Sequence, residues 1–269
     1  CIEPRETSRR YVSIPELRWE PSPFEDPLGG TILLWPYLPC VRMPSELRPR
    51  NWDGLALIAS PDELLAIRDE EGQDKNSPGV HVESAAASGT TLGMLVRDLR
   101  ALEIAGPSIP DPERIRLIRH AENSRGGLPI YAIEPGIDDQ DWLDWQSHWA
   151  DEQVKFRNLL ATLGRTKRWS RLRKSAIKRV SPHNSVNADL GAAATVCAAW
   201  WAEERIGLTS TLIRERDSRL SSRLRGALSD LRESNSDAPV LLVPVQQAYL
   251  HSLESSLSTC DSLEKVGRE

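Results

Sequence analysis

The chain has 269 residues, 39% apolar and 27% charged, with 34 basic against 39 acidic side chains. That balance excludes wholesale disorder, and a net charge of -5 excludes a chain that is basic throughout, as a general nucleic-acid binder would be. The longest apolar run, Leu190 to Ala202, has 13 residues, short of the roughly 20 that a bilayer crossing needs.

Residues 1–50 hold nine of the 19 prolines. Each proline fixes its own φ and keeps the preceding residue out of the helical region. An extended segment is expected there, with one short strand over 31–35. Residues 54–59 form an apolar run that stops at Ser60-Pro61 and reads as a buried strand. Ser60 or Asp62 then caps a helix through Leu64, Leu65 and Ile67 that Gly72 closes. A polar loop over 69–79 leads into Val80-His-Val-Glu83, whose alternation suggests a strand. Leu92, Leu95, Val96 and Leu99 keep helical spacing, residues 102–106 suggest a further strand, and 110–122 a helix. Leu128 to Ile133 is the clearest strand of the first half.

The second half reads as mostly helical. Asp138 or Asp139 caps a helix running to Leu163, with Trp142, Trp145, Trp149, Phe156, Leu159 and Leu163 on one stripe. Its tryptophans suit either a stacking platform or a face packed on the domain. Residues 165–179 carry eight basic side chains and no acid, yet Trp169, Leu172 and Ala176 share a face. An Ala-rich helix follows over 187–206, and Thr209 or Ser210 starts another with leucines at 220, 224, 228 and 231. Pro239 to Val245 is a strongly apolar strand, 247–257 a closing helix, and the last dozen residues a frayed tail. Strands alternating with helices imply an α/β protein with a mainly parallel sheet flanked by helices. Its expected organisation is a proline-rich segment (1–50), one α/β domain (51–259) with a helical insertion over about 138–206, and the tail (260–269).

Several signatures are missing: GxGxxG after a strand, the GxxxxGK[ST] phosphate loop, the GxSxG elbow and HExxH. Dinucleotide, P-loop and zincin chemistry are therefore disfavoured. His81 and Glu83, two apart on a strand, would share a face and could hold a metal or relay a proton; the alternative is an edge histidine and a surface acid. The basic stretch, through Lys167, Arg168, Arg171, Arg173 and Lys174, suits a polyanion or an anionic membrane surface. It suits equally a solvated face that balances the seven acids between Glu134 and Glu152. The four cysteines, Cys1, Cys40, Cys197 and Cys260, are scattered without CxxC spacing, so reduced thiols are expected. Cys1 at the first position fits a fragment or a lipid-bearing N-terminus tethered by 3–10. With no signal peptide in view, the expected location is the cytoplasm.

Arg214-Glu-Arg-Asp217, the leucine helix behind it, Val240-Leu-Leu-Val-Pro-Val-Gln246 and Ala248-Tyr-Leu-His-Ser-Leu253 together resemble the end of TraB/Tiki-type proteins. Members of that group have an E-R-D helix, an apolar strand ending in a G-x-G-H-like turn, and a short amphipathic helix. The strand 128–133 followed by a long charged helical stretch fits the same order. Three departures stand out. The family's opening G-T-x-H motif is missing, Ala59 and Ser60 replace its acidic residue, and the late turn reads Pro244-Val-Gln-Gln247 with glutamine in place of histidine. Glutamine is a weak metal ligand and moves no proton near neutral pH. The resemblance therefore implies a divergent member without catalysis that binds a peptide or protein partner through Glu215, Arg216 and Gln246. The alternative is a metal-assisted hydrolase using Glu134, Asp217 and Gln247, with His81 and Glu83 as metal ligands. A second alternative is polyanion binding through the basic helix. No cofactor is called for except the divalent metal of the hydrolase alternative.

Overall fold

The computed structural model describes residues 13–156, 158, 163–234 and 238–269. Among them five strands form one sheet: β1 (Ser22–Glu25), β2 (Thr31–Tyr37), β3 (Gly54–Leu57), β4 (Ile130–Ala132) and β5 (Val240–Gln246). Their spatial order is β1-β2-β5-β3-β4. The last four are mutually parallel, and β1 closes one edge antiparallel to β2. The protein is thus an α/β fold with a mixed, mostly parallel sheet. The strand read from Pro239 to Val245 is its central member.

Strand β5 is apolar on both faces because both are covered. Leu241, Val243 and Val245 face one core with Ile32 and Leu34; Leu242 faces the other with Trp35 and Tyr37. This is the period-two rule of a strand between two helical layers. The first layer holds α8 (Ser210–Ser234) and α9 (Leu250–Ser258); the second holds α3 (Thr91–Arg100), α4 (Pro112–Asn123), α6 (Arg165–Ile177) and α7 (Ala188–Glu204). Among the described residues the other α-helices are α1 (Pro61–Asn76), α2 (Val80–Ala87) and α5 (Gln140–Val154). None of the described helices is long and apolar enough to cross a membrane.

A proline in a central strand removes a ladder donor, yet Pro244 sits in β5. The register explains it. Strand β3 pairs with β5 only at Gly54 and Leu55, opposite Leu241 and Leu242. Beyond Leu242 the β3 side of β5 is free of ladder bonds, and β2 alone follows to Gln246. The shorter β3 leaves a notch at the carboxyl end of the sheet.

The structure corrects four local expectations. Residues 80–83 are helical, since Gly79 at φ +81° turns the chain into α2. Four alternating residues are too short to specify a strand against that turn. Residues 69–76 belong to α1, which runs through Gly72 with a Glu71–Lys75 pair at 3.2 Å. One interior glycine costs a helix only about 1 kcal/mol. Residues 102–105 are bends and Gly106 is irregular, so no strand forms there. The tail expected to fray is seated: Val266 is buried, the Glu264 N–H donates to Ser222 O at 3.1 Å and the Glu269 N–H to Ile130 O at 2.9 Å. Residues 22–37 are likewise part of the sheet, β2 pairing with β5 over its whole length. In the long stripe, α5 ends at Val154, Phe156 and Leu163 are exposed, and Leu159 lies outside the described residues, as do Cys1 and 3–10.

Candidate functional site

The notch opens into a cavity of about 320 Å3 at the carboxyl ends of the parallel strands. Parallel sheets place ligand sites at this end. Tyr37 reaches it from β2, Ile58 from just past β3, Glu134 from beyond β4, and Pro244 and Gln246 from β5.

Local chemistry sets each wall. Asp111 caps α4, its Oδ1 accepting from the N–H groups of Glu113 and Arg114, both at 3.1 Å. Its Oδ2 accepts from Cys40 N at 2.8 Å, which ties the start of α4 to the turn after β2. Arg114 is thereby aimed at the strand ends. It donates to Tyr37 Oη (3.2 Å), Glu63 Oε1 (2.9 Å) and Ile58 O (3.2 Å). Asp139 caps α5 by accepting from Trp142 N at 2.8 Å. Trp142 and Trp145 stack at 4.7 Å and 14°, and Trp149 follows at 5.7 Å. Trp145 donates to Leu212 O at 3.0 Å, which fixes α5 against α8. The tryptophan stripe is therefore both a packing face and a cavity wall.

In α8, Arg216 Nη2 donates to Glu134 Oε1 at 2.6 Å. Buried Asp217 accepts from Tyr249 Oη at 2.6 Å and Ser252 Oγ at 2.5 Å. Burial raises the Tyr249 and Tyr37 hydroxyls above the ordinary phenol range, so both stay protonated. Tyr249 directs its proton to Asp217. Tyr37 accepts from Arg114 and has its own proton free for a ligand.

Three arginines line the cavity, and they differ. Burial works against charge at Arg114 and Arg216, but Tyr37 and Glu63 at the first, and Tyr249 and Glu134 at the second, outweigh it and hold both above the ordinary guanidinium range. At Arg205 burial dominates and pulls the group below its ordinary value, with Asp217 only partly offsetting it. Arg205 lies against the rings of Trp201 (4.8 Å) and Tyr249 (5.6 Å). Among the described residues no hydrogen bond or ion pair occupies its guanidinium. The indole N–H groups of Trp149 and Trp200, two residues of the cavity wall, are closed off from solvent and find no acceptor among the described residues.

Of the residues singled out in the sequence, Glu134, Arg216, Asp217 and Gln246 meet in this cavity. Glu215 does not. It is exposed beside Arg214 and Arg219 on a separate depression. Gln247 is buried and donates to Arg18 O at 2.9 Å, outside the cavity wall. His81 and Glu83 lie on α2 rather than a strand, so their two-residue spacing no longer puts them on one face; Glu83 pairs with Arg100 at 2.5 Å. Among the described residues no cluster of three His, Cys, Asp or Glu side chains could hold a metal. In the basic helix α6, Arg168 bonds Glu203 at 2.8 Å and Arg173 bonds Asp98 at 2.8 Å, while Lys167, Arg171 and Lys174 are exposed. The acids that Arg168 and Arg173 bond among the described residues are those of α7 and α3.

Arg205, Arg114, Tyr37 and Trp200 escaped the sequence reading. One signal was available: Trp200 and Trp201 are large rings side by side at the end of a helix otherwise built of small residues. Scans against protein-family models, curated proteins and solved structures found no significant match to this chain.

Proposed function

We propose that this protein binds a small organic anion in the cavity at the carboxyl ends of β2, β3, β4 and β5. One observation carries the reading: Arg205 is a half-buried guanidinium, flanked by two aromatic rings, with no carboxylate bound to it. A buried charge without a partner is costly. A cavity wall that keeps one is arranged for an anionic guest. The volume of about 320 Å3 fits a small molecule, at the lower end of the roughly 300–1,000 Å3 common for such sites.

Binding rather than hydrolysis is the better match to these side chains. Glu134 is engaged by Arg216, and Asp217 accepts two hydroxyl bonds, so neither carboxylate stands free to activate water. The TraB/Tiki resemblance belongs to the same proposal. The segments that carry it, Arg214–Asp217 and Val240–Gln246, supply Arg216, Asp217 and Gln246 to this wall, and a carboxylate-bearing peptide end is one form of the anion.

Calorimetric titration with benzoate, phenyl phosphate and benzenesulfonate tests the reading. At least one should bind at one site per chain, and Arg205→Gln should weaken it roughly 10- to 100-fold while the melting curve stays cooperative. Absence of binding by all three, or equal binding by Arg205→Gln, overturns it.

A further inference from the structure

We infer that the guest of this cavity is a planar aromatic monocarboxylate, its carboxylate on Arg205 and its ring among the tryptophans. This inference rests on the anion-binding reading above and adds two properties, the charge and the shape of the ligand.

The charge follows from what surrounds Arg205. Glu63 and Glu134 are neutralised by Arg114 (2.9 Å) and Arg216 (2.6 Å). Glu204 is exposed and bonded by Thr91. That leaves Arg205 as the lining arginine with no hydrogen-bonded carboxylate among the described residues, with the charge of buried Asp217 acting on it only through space. A phosphate monoester brings close to two negative charges near neutral pH and would meet Asp217 with the second unmatched. A carboxylate brings one, and its two oxygens match the guanidinium fork. The Tyr37 hydroxyl is a neutral donor on the same wall, suited to that guest without demanding further charge.

The shape follows from the walls. Trp142, Trp145, Trp149, Trp200, Trp201 and Tyr249 bound the space. Trp142 already meets Trp145 and Arg219, and Tyr249 meets Arg205 and Arg216, so the rings left for a guest are the half-buried Trp145, Trp149, Trp200 and Trp201. A flat conjugated body packs against such faces in offset or edge-on contact, which a saturated ring cannot reproduce.

The probes are naphthalene-2-carboxylate, 2-naphthyl phosphate, naphthalene-2-methanol and decahydronaphthalene-2-carboxylate, titrated into the full chain by calorimetry with tryptophan fluorescence as a second readout. Naphthalene-2-carboxylate should bind at one site and quench the indoles. The neutral alcohol should bind roughly 10- to 100-fold more weakly, and the saturated acid roughly 3- to 10-fold more weakly. In Arg205→Gln the preference for acid over alcohol should fall to near one, an effect that a purely structural role for Arg205 would not produce. Tighter, Arg205-dependent binding of the naphthyl phosphate overturns the monocarboxylate and leaves the anion-binding reading standing. Equal binding of the saturated acid overturns the planar shape. Failure of every anion to bind overturns both the inference and the reading beneath it.

Discussion

Gly226 lies inside α8, where helix propensity alone favours alanine by about 1 kcal/mol. The structure reverses that sign. A Cβ at this position would fall on the Glu264 carbonyl group, 2.7 Å from its carbon, so Gly226→Ala must lift the C-terminal tail from the helix. Val266, buried at 8% exposure, would lose roughly 1.5–3 kcal/mol of burial. The pairs of Glu264 with Arg219 (3.2 Å) and Arg223 (2.7 Å) are partly exposed and add roughly 0–1 kcal/mol each. Subtracting the helix gain leaves a destabilisation of about 0.5–4 kcal/mol. Urea unfolding followed by far-UV circular dichroism reads it directly. A chain ending at Cys260 serves as the control background, in which the same substitution should become stabilising by up to about 1 kcal/mol. If Gly226→Ala is neutral or stabilising in the full chain, the seating of the tail on α8 is wrong.

Asp26 and Arg225 form a buried pair at 2.7 Å that joins the β1–β2 turn to α8, and Asp26→Asn should destabilise by about 3 kcal/mol in the same assay. Burial raises the Asp26 carboxyl, but its bonds from Arg225, Leu28 and Arg232 outweigh that and hold it below its ordinary value of 3.8. Its contribution is therefore present above that pH and lost as pH falls through and below it. A pH series of melts should show a shallower acid slope in Asp26→Asn, and an unchanged slope would count against the pair. Arg205→Met removes a guanidinium that burial disfavours, so in the absence of ligand it should melt no lower than the native chain by calorimetry. A lower midpoint by more than about 1 kcal/mol would mean the residue serves the fold. Burial raises the thiols of Cys40 and Cys197, while Cys260 is only half-buried. Ellman's reagent followed by peptide mass mapping should label Cys260 in the native state and the other two only after unfolding.

The chain itself determined most of the elements and their caps. Ser60, Asp139 and Asn187 stand where short polar side chains can close the first turn of a helix, and each does so. Leu241 to Val245 is apolar at every position, which requires a strand covered on both faces, and β5 is that strand. Local rules failed where two short-range signals competed, as at Gly79 before His81, or where long-range contact outweighed a polar composition, as in the tail that Gly226 admits.

For the site, Glu134, Arg216, Asp217 and Gln246 were legible because charged or amide groups at strand ends and on an amphipathic helix stand out against apolar neighbours. Their partnerships were not. Whether an arginine is satisfied depends on which carboxylate the fold brings within about 3 Å, a matter of strand order and helix placement that no local pattern encodes. Arg114 and Arg216 find carboxylates 51 and 82 positions away, and among the described residues Arg205 bonds none. The difference that makes Arg205 the functional candidate is thus a property of the assembled fold, where a short β3 beside a longer β5 opens the space in which an unpartnered charge can wait for a guest.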